Sequence, residues 1–138
     1  AGPYPRRLRD MIEAGLVSWV GLDIKALPEH YGQVVGRANA AARAWESLEV
    51  LIEAAGRGGP DFEVRTTVVP GDVTADDAVE VARRVHAAGA RVYALQQARS
   101  EGTSGEFDVV APGWDGTCER MAERIEALGW DRFTYRPA

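Results

Sequence analysis

The sequence predicts an α/β protein built on a parallel sheet with alternating helices, and three features carry that expectation. Apolar runs of strand length alternate along the chain with segments of helical periodicity. The first such run, LVSWVGLDIK, is nearly continuously apolar, which is the pattern of a strand covered on both faces. Glycine or proline stands at most of the transitions. The resulting order, α-β-α-β-α-β-α-β, implies right-handed crossovers in a sheet that is either open and layered or part of a barrel. A chain of 138 residues has room for one core, so residues 1–138 are expected to form a single domain.

In chain order, PRRLRDMIEAG places Leu8, Met11 and Ile12 on one helical face, and Gly15 stands where a left-handed cap would end the helix. LVSWVGLDIK follows as the first strand and stops before Pro28. From Ala38 to Ala55, apolar positions that include Trp45, Leu48 and Ile52 recur at threes and fours, with Gly56 as the C-cap. After the turn RGGP comes FEVRTTVV, rich in β-branched residues and closed by Pro70-Gly71. Thr74 with Asp77 three residues on resembles a capping box, opening a helix that runs to about Ala88 and Gly89. RVYALQQ is the third strand, residues 99–116 read as a long irregular loop, and Cys118, Met121, Ala122, Ile125 and Leu128 stripe a last helix. A short strand at 133–136 ends the pattern.

Composition narrows the function. A net charge of −5 gives no reason to expect nucleic acid as the main partner. No apolar run approaches the roughly 18 to 20 residues of a spanning helix, and the first residues lack the apolar segment of a secretory signal, so the expectation is a cytoplasmic protein without a membrane partner. One cysteine, Cys118, can neither form an internal disulfide nor by itself hold zinc or an iron–sulfur cluster, and its place on an apolar stripe suits core packing. His30 and His86 read as ordinary surface or packing residues, Trp19 and Trp45 as core, and Trp114 as a loop residue able to cover a site or meet a partner. GRGGP is not followed by the lysine and hydroxyl residue of a phosphate-binding loop.

Ligands of parallel sheets lie at the carboxyl ends of the strands. Side chains two apart on a strand share a face, so Asp23 and Lys25 point one way while Leu22 and Ile24 meet the helices. By the same count Arg65 and Thr67 share a face of the second strand, and one registration sets them beside Asp23 and Lys25. Lys25 is the only lysine beside 15 arginines. A compact ammonium fits a confined pocket where a planar guanidinium does not, which points to a site that needs lysine. The same residues also suit a structural ion pair of Asp23 and Lys25, with or without Arg65, satisfying one another at a strand end.

DIKALPEHY, the helix after it, RTTVVPG and YALQQAR, in this order and spacing, resemble the carboxyl-terminal half of radical S-adenosylmethionine activating enzymes. The resemblance covers residues 8–99. It is nearest to the activating proteins of anaerobic ribonucleoside-triphosphate reductase and more distant from those of pyruvate formate-lyase. It implies half of a partial (βα)6 barrel of the TIM type. It also implies a parent protein in which a [4Fe-4S] cluster and S-adenosylmethionine generate a radical on a glycyl-radical enzyme such as anaerobic ribonucleotide reductase. On the matching motifs, Asp23 and Lys25 correspond to a strand-end pair near the bound S-adenosylmethionine and its associated cation. Arg65 corresponds to an arginine that approaches the methionine part, and Thr67 to a residue lining the cofactor cavity.

The family's CxxxCxxC motif and its glycine-rich stretch are absent from these 138 residues. YALQQAR also lacks the histidine of the formate-lyase branch; Gln96 and Gln97 suit the reductase type. The expectation is thus half of an enzyme, inactive alone, either cut from a longer protein or free-standing without radical activity. Two further readings remain: a non-catalytic module binding an anionic or nucleotide-like small molecule, and a structural or assembly domain. Loss of the upstream half would expose the first strand as an edge, open to self-association as a homo-oligomer or covered by the first helix. The loop at 99–116 is the candidate for target contact.

Overall fold

A computed structural model describes residues 5–30, 38–98 and 112–138. The elements are α1 (Pro5–Glu13), β1 (Trp19–Asp23), a 3₁₀ turn (Pro28–His30), α2 (Ala38–Ala55), β2 (Asp61–Val68), α3 (Val73–Ala88), β3 (Val92–Gln97), α4 (Trp114–Glu126) and β4 (Arg132–Arg136). The described strands form one sheet in the order β1-β2-β3-β4, and every neighbouring pair is parallel. The protein is therefore α/β, with helices alternating with the strands of an all-parallel sheet. Sequential order with right-handed crossovers puts successive helices on the same face, the arrangement of an arc of a barrel.

Alternation along the strands divides the two faces. Val20 and Leu22 of β1, Val64, Thr66 and Val68 of β2, and Tyr93 and Leu95 of β3 are buried toward the helices. They join Leu48 and Leu51 of α2, Val81 and Val85 of α3, and Cys118 and Ile125 of α4, mostly in one continuous apolar core. Tyr93 stacks on Trp130 at 4.9 Å, and the Trp130 indole donates to the Ile125 carbonyl at 2.8 Å, so the chain after α4 is locked onto β3. The opposite face carries Trp19, Gly21, Asp23, Glu63, Arg65, Thr67, Gln96 and Arg136. Contacts bridge this face from edge to edge: the Arg132 guanidinium of β4 lies 5.8 Å from the centre of the Trp19 ring on β1. Three strand intervals of a flat sheet span about 14 Å, so these inner side chains reach toward one another as they do inside a barrel arc.

Four expectations change. The first strand begins at Trp19, not Leu16, because its ladder runs only from Trp19↔Asp61 to Asp23↔Arg65, and Leu16 is left 72 % exposed. Trp19 is no core residue; it shares the site face with Gly21 and Asp23 and is 44 % exposed. The N-cap of α3 is Asp72, whose carboxylate accepts the Thr74 N–H at 3.2 Å in an extended conformation. Thr74 lies inside the helix and accepts the Val69 N–H at 2.9 Å, so Thr74 and Asp77 form no capping box. Trp114 opens α4 instead of lying in a loop, and it packs half-buried against the core. The rest of the expected loop, residues 99–111, lies outside the described residues.

The other boundaries follow the sequence closely. Gly89 closes α3 with φ of 120°, a conformation that disfavours a side chain, and donates to the His86 carbonyl. α1 packs on α2. β1 pairs with β2 on one side, and among the described residues no strand pairs with its other side. No described helix is long and apolar enough to cross a membrane.

Candidate functional site

The face opposite the helices gathers polar side chains toward the carboxyl ends of the strands. The register sets Asp23 beside Arg65, Thr67 beside Gln96, and Gln96 in turn beside Arg136. Asp23 is exposed and Lys25 half-buried, whereas Leu22 and Ile24 between them are buried, as the period of two requires. The strand ends thus bring Asp23 and Arg65 together on one face and set Thr67 two residues further along it. The structural ion pair considered for Asp23 and Lys25 does not form: among the described residues neither makes a side-chain hydrogen bond or ion pair.

Arg65 turns instead to Glu63. Its Nε donates to Glu63 Oε1 at 2.8 Å, and Glu63 is only 3 % exposed. Arg136, arriving from β4, donates through Nη1 to the same oxygen at 3.4 Å and through Nη2 to both carboxylate oxygens at 3.4 and 3.5 Å. Gln96 accepts from Arg136 Nη1 at 3.4 Å and donates to the Thr67 hydroxyl at 3.5 Å. One buried carboxylate therefore sits between two guanidinium groups, and the trio keeps a net positive charge. Gly21 makes room for this arrangement. A Cβ there would stand 2.5 Å from Arg65 Nη2 and 2.6 Å from Cζ, so the guanidinium lies directly over the β1 backbone.

Sequence reasoning missed Glu63 and Arg136. Glu63 was recoverable, since it lies two residues before Arg65 on the same strand face, as Asp23 does before Lys25. Arg136 depends on the register of β4, and no local signal encodes that.

On the helix side of the same strand ends, polar contacts fasten the turns. Asp77 of α3 accepts the Leu27 N–H at 3.0 Å and bonds His30 Nδ1 at 3.0 Å, so His30, expected as a surface or packing residue, packs as a tether between this turn and α3. Thr66 donates to the Ile24 carbonyl at 2.8 Å and accepts from the Tyr93 hydroxyl, whose burial holds it protonated well above the ordinary range. Gln97 donates to the Tyr135 hydroxyl at 2.6 Å and to Asp115 at 3.2 Å. Beside them burial pushes the Cys118 thiol up to about 11, opposed by hydrogen bonds with Tyr135 and Gln97. His86 meets the Gly129 carbonyl at 3.2 Å and the edge of Trp130.

A cleft of about 810 Å³ opens at the other, amino-terminal edge of the sheet, lined by Trp19, Asp61, Arg91, Val92, Asp131 and Arg132 among others. Parallel α/β sheets bind ligands instead at the carboxyl edge, where Asp23, Arg65 and Thr67 lie.

The residues present can be tested against the two groups that the resemblance implies. A [4Fe-4S] cluster needs three thiolates, whereas Cys118 stands alone and buried in the core, so this chain does not fit the cluster. Among the described residues no group of three His, Cys, Asp or Glu side chains gathers as metal ligands. S-adenosylmethionine offers a carboxylate, an amine, a sulfonium and ribose hydroxyls. The strand-end face fits part of it, with guanidinium and ammonium donors for the carboxylate and an exposed carboxylate for cationic groups or hydroxyls. No protein-family model and no curated protein sequence matches this chain.

Proposed function

We propose that this chain contributes the S-adenosylmethionine-pocket residues of a glycyl-radical-enzyme activating protein of the anaerobic ribonucleotide reductase type, with the cluster ligands supplied by chain outside these 138 residues. The observation that carries the reading is the common face of Asp23, Arg65 and Thr67 at the carboxyl ends of two adjacent parallel strands, with Lys25 following β1. In such a parent the cofactors supply the radical chemistry. This chain's residues bind and orient. Arg65, held in place by Glu63, directs a guanidinium edge at a carboxylate. Lys25 offers a compact cation to a carboxylate or ribose oxygen. Asp23 offers a carboxylate to hydroxyl or cationic groups, and Thr67 lines the wall. Residues 99–116 would meet the target enzyme, and the side of β1 that no strand pairs with among the described residues would meet the rest of the barrel or a second copy.

A second reading has its own observation. With its one cysteine buried and its strand-end trio net positive, the chain is equipped to bind an anionic or nucleotide-like small molecule without iron. Both readings place a ligand on the same face, and chemical-shift mapping with millimolar S-adenosylmethionine separates them from other sites. Under the first reading, amide shifts cluster at Asp23, Lys25, Arg65 and Thr67. Shifts confined to the amino-terminal cleft, or none at all, would refute it. A response to nucleotides or phosphate in place of S-adenosylmethionine would favour the second.

A further inference from the structure

We infer that Arg65 and Arg136 form a two-guanidinium clamp for a small oxoanion, a carboxylate or a phosphate, with Glu63 as the shared counter-ion that sets their spacing. The inference deepens the reading above by adding Arg136 to the strand-end face, and it rests on that reading only in taking this face to be where the ligand lies.

The charge balance comes first. Glu63 is the buried acceptor common to both arginines, and its side chain is 4 % exposed while theirs are 35 % and 42 % exposed. A single carboxylate neutralises one of the two cations, leaving one positive charge on side chains that still reach solvent. Donor use leads to the same place. Arg65 spends Nε on Glu63, and among the described residues no acceptor takes its Nη1 or Nη2, which lie over Gly21. Arg136 makes only long contacts to Glu63 and Gln96, between 3.4 and 3.5 Å, at the outer limit of hydrogen bonding. A buried structural triad of arginine, glutamate and arginine would close short, bidentate bonds on its carboxylate; here both guanidinium groups keep donors in reserve.

Geometry supplies the rest. Arg65 Nε and Arg136 Nη1 converge on one oxygen, Glu63 Oε1, so the two guanidinium groups flank the same carboxylate on this face. Thr67 and Gln96 border them and are linked to each other. A carboxylate or phosphate is the ligand class that two adjacent guanidinium groups recognise through paired N–H donors.

The test follows the arginine Nε–H signals by NMR while inorganic phosphate and, separately, methionine are titrated into the intact protein at low salt. The clamp predicts saturable shifts of the Arg65 and Arg136 signals with at least one probe, weakening as salt is raised. A response to phosphate alone assigns a phosphate-bearing ligand, and a response to methionine alone assigns an amino-acid carboxylate; either upholds the clamp. No response to either probe at tens of millimolar overturns it. Arg136→Met is expected to weaken binding at least tenfold, with Arg136→Lys recovering part of the loss, and unchanged affinity in Arg136→Met also overturns it. If Arg136→Met does not fold, the wild-type spectra decide. Failure of S-adenosylmethionine to bind while phosphate engages both arginines would refute the cofactor-pocket reading and leave the clamp standing.

Discussion

Replacing Gly21 by alanine probes the site without removing any functional group. Gly21 lies in β1 without a positive φ, so its backbone accepts alanine. An added Cβ would stand 2.5 Å from Arg65 Nη2, 2.6 Å from Cζ and 2.9 Å from Nη1, too close for any of them to stay. The guanidinium is the end of a flexible side chain and swings aside, but in doing so it gives up its 2.8 Å bond to Glu63. A hydrogen bond to a charged group contributes about 1.5–3 kcal/mol. With the Arg65 side chain 35 % exposed, solvent screening brings that to the lower end, about 1.5 kcal/mol. Alanine in a strand recovers roughly 0.5 kcal/mol of backbone entropy relative to glycine. The net expectation is a loss of about 1 kcal/mol, readable as a lower urea midpoint at unchanged slope. Anion affinity should fall in parallel, because Arg65 no longer lies where the clamp needs it. A variant stabilised by half a kcal/mol or more, with binding intact, would refute the placement of Arg65 over Gly21.

Three other perturbations have defined outcomes. Asp77→Ala strands the buried Leu27 N–H and frees His30, and should cost about 2 kcal/mol in urea unfolding, while His30→Ala should cost less than half of that because it leaves the Asp77 bond to Leu27 N–H in place and removes a ring that is 41 % exposed. The Cys118 thiol, raised by burial from an ordinary 9.0 to about 11, should not react with a disulfide reagent at pH 8 until the protein unfolds. Because the folded state holds that proton more tightly than the unfolded chain, the associated stability is present below pH 9 and is lost as pH rises toward 11; Cys118→Ala should flatten that part of the profile in denaturation measured against pH. Tyr93→Phe removes the donor to Thr66 within the core and should destabilise by about 1 kcal/mol, again by urea unfolding.

Much of this architecture was legible because its signals are local. The apolar spacing from Ala38 to Ala55 marks α2 to the residue, and the period of two along LDIK and RTTV places Asp23, Arg65 and Thr67 on one face. The same period, applied two residues before Arg65 and four before Asp23, reaches Glu63 and Trp19; reading Trp19 as core lets its size outweigh its position. The cap of α3 was misread because Asp72 and Thr74 are both good capping residues two apart, and only the backbone shows that the helix starts at Val73. The His30–Asp77 tether spans 47 residues and the Arg136–Glu63 contact 73, so both depend on packing that no window of sequence contains. The counter-ion of Arg65 could be guessed as Asp23, its neighbour across the strands, and the same-strand Glu63 took that role because it is buried beneath the guanidinium.

The proposal that these residues belong to a radical S-adenosylmethionine activating protein can be decided by sequencing the gene upstream of the Ala1 codon. An in-frame CxxxCxxC motif is expected there, close enough to complete the barrel and bind the cluster that Cys118 cannot. A start codon at this point, with no cysteine motif preceding it, would overturn the proposal and leave the strand-end face as a binding site without radical chemistry.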